Sequence, residues 1–186
     1  NYYPAVAEAF YSDIPLVMIT ADRPIERIDI GDGQTIRQRN VFENHVLYSA
    51  NLYSELVLEH DNQDDKLKQK RREAEKHNQQ EINKALNMAL TESGPVHINV
   101  PFYEPLYQLV EKPTVHPLTI EPIREPKTTT EKALKAYAEI WNQAKRKLVL
   151  VGVNKPNAIE QKFLDELAED PSVLVFTETT SNLHHE

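Results

Sequence analysis

Four arginines, Arg23, Arg27, Arg37 and Arg39, crowd into one short region with Gly31, Gly33 and Gln34, and those glycines are two of only four in the chain. A guanidinium holds a carboxylate through two parallel hydrogen bonds, and a glycine lets backbone approach a ligand closely. Together these residue types suit the binding of small carboxylated molecules. Asp22, Glu26, Asp29 and Asp32 equal the arginines in number, so placement rather than composition decides whether positive charge is left for a ligand. The region follows an apolar run, Leu16-Val17-Met18-Ile19-Thr20, that reads as a strand. Connections leaving the carboxyl ends of parallel strands are where open α/β sheets bind their ligands. The stretch from Thr20 to Gln38 therefore reads as a site. The purely structural alternative is an Asp22–Arg23 ion pair, a turn at Pro24 and hairpin glycines.

The elements that must carry this loop follow from periodicity. A helix opens at Pro4, with Ala5, Val6, Ala7, Ala9 and Phe10 behind it. After the loop, residues 39 to 59 mix Phe42, Val46, Leu47, Tyr48, Leu52, Tyr53 and Leu56 with polar residues and read as loop or short pieces packed on a sheet edge. From Asn62 to about Glu92 the pattern is helical in two unlike halves. Asp64 to Glu81 is nearly all polar, whereas Ile82, Ala85, Leu86, Ala89 and Leu90 form one apolar stripe, so only the second half is expected to dock. The Lys66-to-Lys76 charges are interleaved with acids and read as a solvated face rather than a nucleic-acid patch. Gly94-Pro95 ends the helix, and Val96 to Val100 alternates as a strand whose His97 faces away from Val96, Ile98 and Val100. That histidine is expected to be structural and hydrogen-bonded.

Residues 108–128 carry Pro113, Pro117, Pro122 and Pro126 without a period and read as an extended linker between two domains, 1–107 and 129–186. Beyond it Thr128 and Glu131 have capping-box spacing, and Leu134, Tyr137, Ala138 and Trp141 share one helix face, with Tyr137 and Trp141 expected in a core. Leu148 to Val153, a helix bearing Ile159, Phe163 and Leu167, and Ser172 to Phe176 make a β-α-β unit. The fold class is thus α/β, with parallel sheet layers and flanking helices. The turn Gly152-Val153-Asn154-Lys155-Pro156 has one glycine, too few for a dinucleotide fingerprint.

Composition narrows the functions. A formal charge of -8 argues against non-specific nucleic-acid binding. No apolar run approaches the roughly 18 residues of a membrane span. The absence of cysteine excludes disulfides and thiolate metal sites and suits a cytoplasmic location. The chain opens without an initiator Met and closes soon after a buried strand, which reads as an internal piece of a longer protein.

The run from Asn1 to Ala9, then Leu16 to Thr20, Ala21-Asp22-Arg23-Pro24, Asp29, Gly31, Gln34-Thr35-Ile36-Arg37-Gln38 and Phe42, resembles the thiamine diphosphate enzymes of menaquinone biosynthesis. Gly94 to Tyr107 resembles the end of their pyrimidine-binding domain, and residues 108–186 the linker and the first part of a Rossmann-like central domain. The resemblance implies decarboxylation of 2-oxoglutarate and addition of the succinyl semialdehyde carbanion to isochorismate. It also implies thiamine diphosphate and Mg2+ as cofactors, and a homodimer or homotetramer with active sites between subunits. Position by position it implies Arg23, Gln34 and Arg37 as substrate ligands, with Gln34 also facing the cofactor. Gly33 stands where relatives carry asparagine, so a side-chain contact is lost there. The glutamate that activates the cofactor is expected before Asn1 and the metal motif after Glu186, so this stretch alone is expected to be inactive.

Other candidates are weaker. Gly31-Asp32-Gly33 imitates the opening of the metal motif, but Leu58, Glu59, His60 and Asp61 stand where its closing asparagine belongs. His184 and His185 lack a third ligand and read as loop. Two further readings stay open: an acetolactate-synthase-like decarboxylase or carboligase, and a non-catalytic α/β binding module.

Overall fold

The computed structural model describes residues 1–54, 65–103, 109, 111–113, 116–122 and 128–183. The chain divides into two compact units, Asn1–Glu125 and Pro126–Glu186.

In the first unit a helix, α1 (Tyr3–Tyr11), starts with proline in its first turn, where a missing N–H costs nothing. Three strands follow in the chain: β1 (Val17–Asp22), β2 (Tyr48–Asn51) and β3 (Val96–Pro101), with the long helix α2 (Asp65–Glu92) between the last two. All pair in parallel in the order β1-β3-β2. Strand β2 lies inside the stretch that reads from sequence as irregular. With four residues and one fully buried side chain, Ala50, it has too little alternation to announce itself, and pairing to β3 creates it.

The faces of this sheet differ in chemistry. One buries Ala50, Val96 and Ile98 against Ala85 and Ala89 of α2, whose methyl side chains let helix and sheet approach closely. The other face packs Met18 with Val6 of α1 and Phe42. Toward the carboxyl edge this second face turns polar: Thr20, Asn99 and Asn51 stand in one row across the three strands, and Ser49 pairs with His97 in the row before. His97 is fully buried, with the Thr20 hydroxyl 2.7 Å from Nε2, the Ser49 hydroxyl 3.2 Å from Nδ1 and the Phe42 ring edge-on at 5.0 Å. It is the structural histidine expected from its place in the strand. Thr20 Oγ1 also accepts from Gln38 Nε2 and donates to Asn99 Oδ1 at 3.3 Å, so the imidazole is tied through Thr20 into the polar row of the sheet.

Docking of α2 begins earlier than its apolar stripe. Within its polar half His77 Nε2 meets the Asn51 carbonyl at 3.1 Å and stacks on Tyr53 at 4.1 Å, while Asn78 bonds both the N–H and the carbonyl of Tyr53. The expectation of an undocked polar half therefore fails from His77 onward, because side-chain-to-backbone hydrogen bonds replace apolar burial as the anchor. Residues 62 to 64 lie outside the described set.

Gln79, Asn83 and Asn87, four residues apart, form an amide ladder along α2. It holds the extended segment around Leu118 and Ile120 by four bonds of 2.7 to 3.0 Å, satisfying the N–H and carbonyl of both residues. Part of the proline-rich stretch is thus fastened to the first unit, and Pro117 and Pro122 on either side keep it extended.

Where α2 ends, Ser93 takes the left-handed conformation at φ 54°. Gly94 serves space instead, since a Cβ there would lie 2.6 Å from Leu47 Cδ1 and 2.8 Å from its Cγ.

The second unit runs α3 (Glu131–Gln143), β4 (Lys147–Val151), α4 (Gln161–Glu169) and β5 (Val173–Thr177), the strands parallel. The capping residue of α3 is Thr130, accepting from Ala133 N–H at 3.3 Å, and not Thr128; both have acceptors at plausible spacing, but only Thr130 adjoins the first helical residue. Tyr137 is 67% exposed and Trp141 36%, which corrects their assignment to a core: within this unit two strands offer too little surface to cover an amphipathic helix. Lys147 ties the start of β4 to the start of β5 through Asp170 at 3.0 Å and Ser172 at 2.8 Å. The Ser172 hydroxyl and N–H, with Lys147 third, pull the Asp170 carboxyl down to about 2.

Burial holds His97 below the ordinary imidazole value, with the Asp22 charge opposing weakly. The folded state then binds fewer protons than the unfolded one, so its stabilising contribution is full above about pH 6.5 and is lost as pH falls toward the lowered value, at up to about 1.4 kcal/mol per pH unit. An NMR titration of the His97 ring should give a midpoint below that of an exposed histidine, and His97→Gln should flatten the fall in thermal stability on acidification. A normal midpoint would contradict the burial argument. Separately, Gly94→Ala should destabilise the first unit by about 1 to 3 kcal/mol through overpacking. Hydrogen exchange at β3 reads the loss, and Leu47→Ala in the same chain should recover part of it.

Candidate functional site

The carboxyl ends of β1, β2 and β3 open into a cleft of about 750 Å3. Its floor is the polar row of the sheet, and its walls come from the Arg23-to-Arg39 loop on one side and from α2 on the other.

One carboxamide fixes the loop. Gln38 Nε2 donates to Thr20 Oγ1 at 2.9 Å, to the Ala21 carbonyl at 2.9 Å and to Asn99 Oδ1 at 2.7 Å, so three acceptors surround its two protons. Asn99 in turn donates to Asp22 Oδ2 at 2.8 Å, and Asp22 Oδ1 accepts the Arg23 N–H at 2.8 Å. The chain Gln38–Asn99–Asp22–Arg23 therefore pins the loop at both ends. At its entrance Tyr103 donates a short hydrogen bond to Glu26, which lowers the Glu26 carboxyl and raises the Tyr103 phenol. Between these fixed points Asp29, Gly31 and Gln34 adopt positive φ, and the 84° of Gly31 is the place where the loop needs its glycine.

Of the residues singled out from sequence, Arg23 and Arg37 line the cleft and Gln34 does not. Arg23 is half-buried at the end of β1. Arg37 is exposed and shares its Nε–H between the two oxygens of Asp29 at 3.0 and 3.2 Å. Gln34 is exposed on the loop at φ 61°, and Arg27 is also outside the lining. The Gly31-Asp32-Gly33 sequence forms a local turn, in which Asp32 accepts from the Gly33 N–H and the Thr35 hydroxyl. Leu58 to Asp61 and His184 to Glu186 lie outside the described residues. Among the described residues no group of three His, Cys, Asp or Glu could hold a metal ion, and no helix is long and apolar enough to cross a membrane.

Sequence reasoning missed Gln38, Asn99, Asn51, Tyr53, Lys70 and His77. A signal for Asn99 existed: polar residues at alternate positions of a strand otherwise rich in β-branched residues mark a face turned toward something polar. Asn51 gives its NH2 to Asn40 Oδ1 at 3.0 Å, while its own Oδ1 is buried with no hydrogen-bond partner among the described residues. Such an atom costs about 1 to 3 kcal/mol. Lys70, Glu73, Ala74 and His77 reach the cleft together because they share one face of α2.

No family model matches the chain. Among curated proteins it is 70% identical over 186 residues to the 2-succinyl-5-enolpyruvyl-6-hydroxy-3-cyclohexene-1-carboxylate synthase of Christiangramia forsetii, covering 100% of this chain and 32% of that protein. The synthase of the same name from Flavobacterium johnsoniae is 50% identical, with 100% and 30% covered, and that from Porphyromonas gingivalis 35%, with 98% and 30% covered. The chain spans about a third of the length of these relatives. Over its whole length it belongs to the 2-succinyl-5-enolpyruvyl-6-hydroxy-3-cyclohexene-1-carboxylate synthase family.

Proposed function

We propose that the protein to which this chain belongs joins 2-oxoglutarate, with loss of carbon dioxide, to isochorismate in menaquinone biosynthesis. Residues 1–107 then form the later part of a pyrimidine-binding domain, 108–128 the linker and 129–186 the start of a Rossmann-like central domain. The observation that carries the reading is the position of Arg23: at the carboxyl end of a parallel strand, half-buried, lining a cleft that also carries Arg37, Arg39 and Lys70 beside the acids Asp22, Glu26, Asp29 and Glu73. The cations fit carboxylates, and both substrates are multiply anionic.

Thiamine diphosphate, when bound, supplies the carbanion chemistry, and its metal anchor is assigned to residues beyond this chain. What the chain contributes is binding and orientation. Arg23 takes a substrate carboxylate, and Arg37, already shared with Asp29, has a secondary part. The assignment of Gln34 to substrate and cofactor rests on the family resemblance alone. Assembly of the active site between subunits rests on the same resemblance.

In the full-length enzyme Arg23→Ala should lower kcat/KM and raise the KM for 2-oxoglutarate or isochorismate, since an unpaired carboxylate in a water-poor site costs on the order of 2 to 5 kcal/mol. Arg23→Lys should recover only part of the loss, lacking the bidentate fork. Steady-state kinetics with each substrate varied in turn decides it, and unchanged constants for both would retire Arg23.

A further inference from the structure

From the sequence, the polar half of α2 reads as a solvated surface, and Lys70 and Glu73 are indeed exposed. They also share, with Ala74 and His77 at spacings of three and four, the helix face that lines the cleft, and His77 and Asn78 lock that face to the backbone at the end of β2. The acids around the cleft are each engaged: Asp22 by Asn99 and the Arg23 N–H, Glu26 by Tyr103, Asp29 by Arg37, and Glu73 by Gln69 at 2.9 Å. Two lining cations, Lys70 and Arg39, make no ion pair among the described residues.

We propose that Lys70 forms a second carboxylate subsite on the α2 wall of the cleft, so that a substrate carrying two carboxylates is held at separate points by Arg23 of the loop wall and by Lys70. Lys70 is thus a binding residue that selects dicarboxylates over monocarboxylates. This deepens the synthase reading and rests on it for the identity of the substrate. A lysine is suited to the place, since its mobile ammonium acts as a point charge that follows a carboxylate without demanding a fixed plane.

The test uses full-length Lys70→Ala and Lys70→Arg, with Lys68→Ala as the control, because Lys68 pairs with Asp65 and does not line the cleft. Lys70→Ala should raise the KM for one of the two substrates about tenfold, equivalent to about 1.4 kcal/mol, with a smaller change in kcat. Lys70→Arg should restore most of it and Lys68→Ala should match wild type. Equal KM values for both substrates in wild type and Lys70→Ala would overturn the subsite. Should the wild-type protein fail to couple 2-oxoglutarate to isochorismate, the synthase reading falls, and calorimetric titration still decides the subsite. Succinate should then bind about tenfold more weakly to Lys70→Ala while butyrate is unaffected; succinate binding equally to both proteins would overturn it.

Discussion

The contact between the carboxamides of Gln38 and Asn99 organises the site. Asn99 sits at the centre of the sheet, in the middle strand and in the row shared with Thr20 and Asn51, so its backbone is flanked by a paired strand on each side. It accepts from Gln38 at 2.7 Å and donates to Asp22 at 2.8 Å. One side chain thereby joins the end of the loop to its beginning. A neutral amide can do this without adding charge. A carboxylate at position 99 could not donate to Asp22 and would repel it, and a cation could not accept from Gln38. With Gln38 fixed, Arg37 and Arg39 on either side of it stand at the cleft wall by chain connectivity.

The long helix is held by two kinds of interaction along its length. Near its end Ala85 and Ala89 bury against Ala50, Val96 and Ile98, an area-driven contact that tolerates little change of volume. Through its middle it is fastened by histidine and amide side chains to backbone groups, on one side at Asn51 and Tyr53 and on the other at Leu118 and Ile120. Backbone groups that lack a strand partner must be satisfied by something, and here α2 supplies it on two opposite flanks. That explains why so polar a helix is ordered against the sheet, and why its composition is amide-rich where a surface helix would carry mostly charge.

How much of this was legible in the sequence depends on how local the determinant is. β1, β3, β4, β5 and the helices are set by runs and stripes within each segment, and these were readable. β2 was not, because four residues with one small buried side chain make a strand only by pairing. Nor was the anchoring of His77 and Asn78, since their partners are backbone atoms whose positions no periodicity encodes. Arg23 could be marked because its neighbours are distinctive. Gln38, two amide protons among three acceptors from two strands, could not be chosen over Gln34 without coordinates. The exposed apolar faces of α3, β4 and β5 show a further limit: an amphipathic stripe states that a face needs covering and leaves open what covers it.

A net charge of -8 does not conflict with an anion site once distances are considered. Exposed charges beyond about 8 Å are largely screened at physiological ionic strength, so the total matters for long-range approach and the local set for binding. Around the cleft the acids are spent on short contacts to Asn99, Tyr103, Arg37 and Gln69, and in three of the four the partner is neutral. A neutral partner leaves the charge in place, however, so Asp22, Glu26 and Glu73 still oppose an incoming anion. The opposing field acts on each charge of a ligand, so a monoanion gains little net attraction, while a ligand with two carboxylates can meet two cations for a single loss of translational and rotational freedom. The mixture of signs, which looked from composition like cancellation, favours ligands by the number and spacing of their charges.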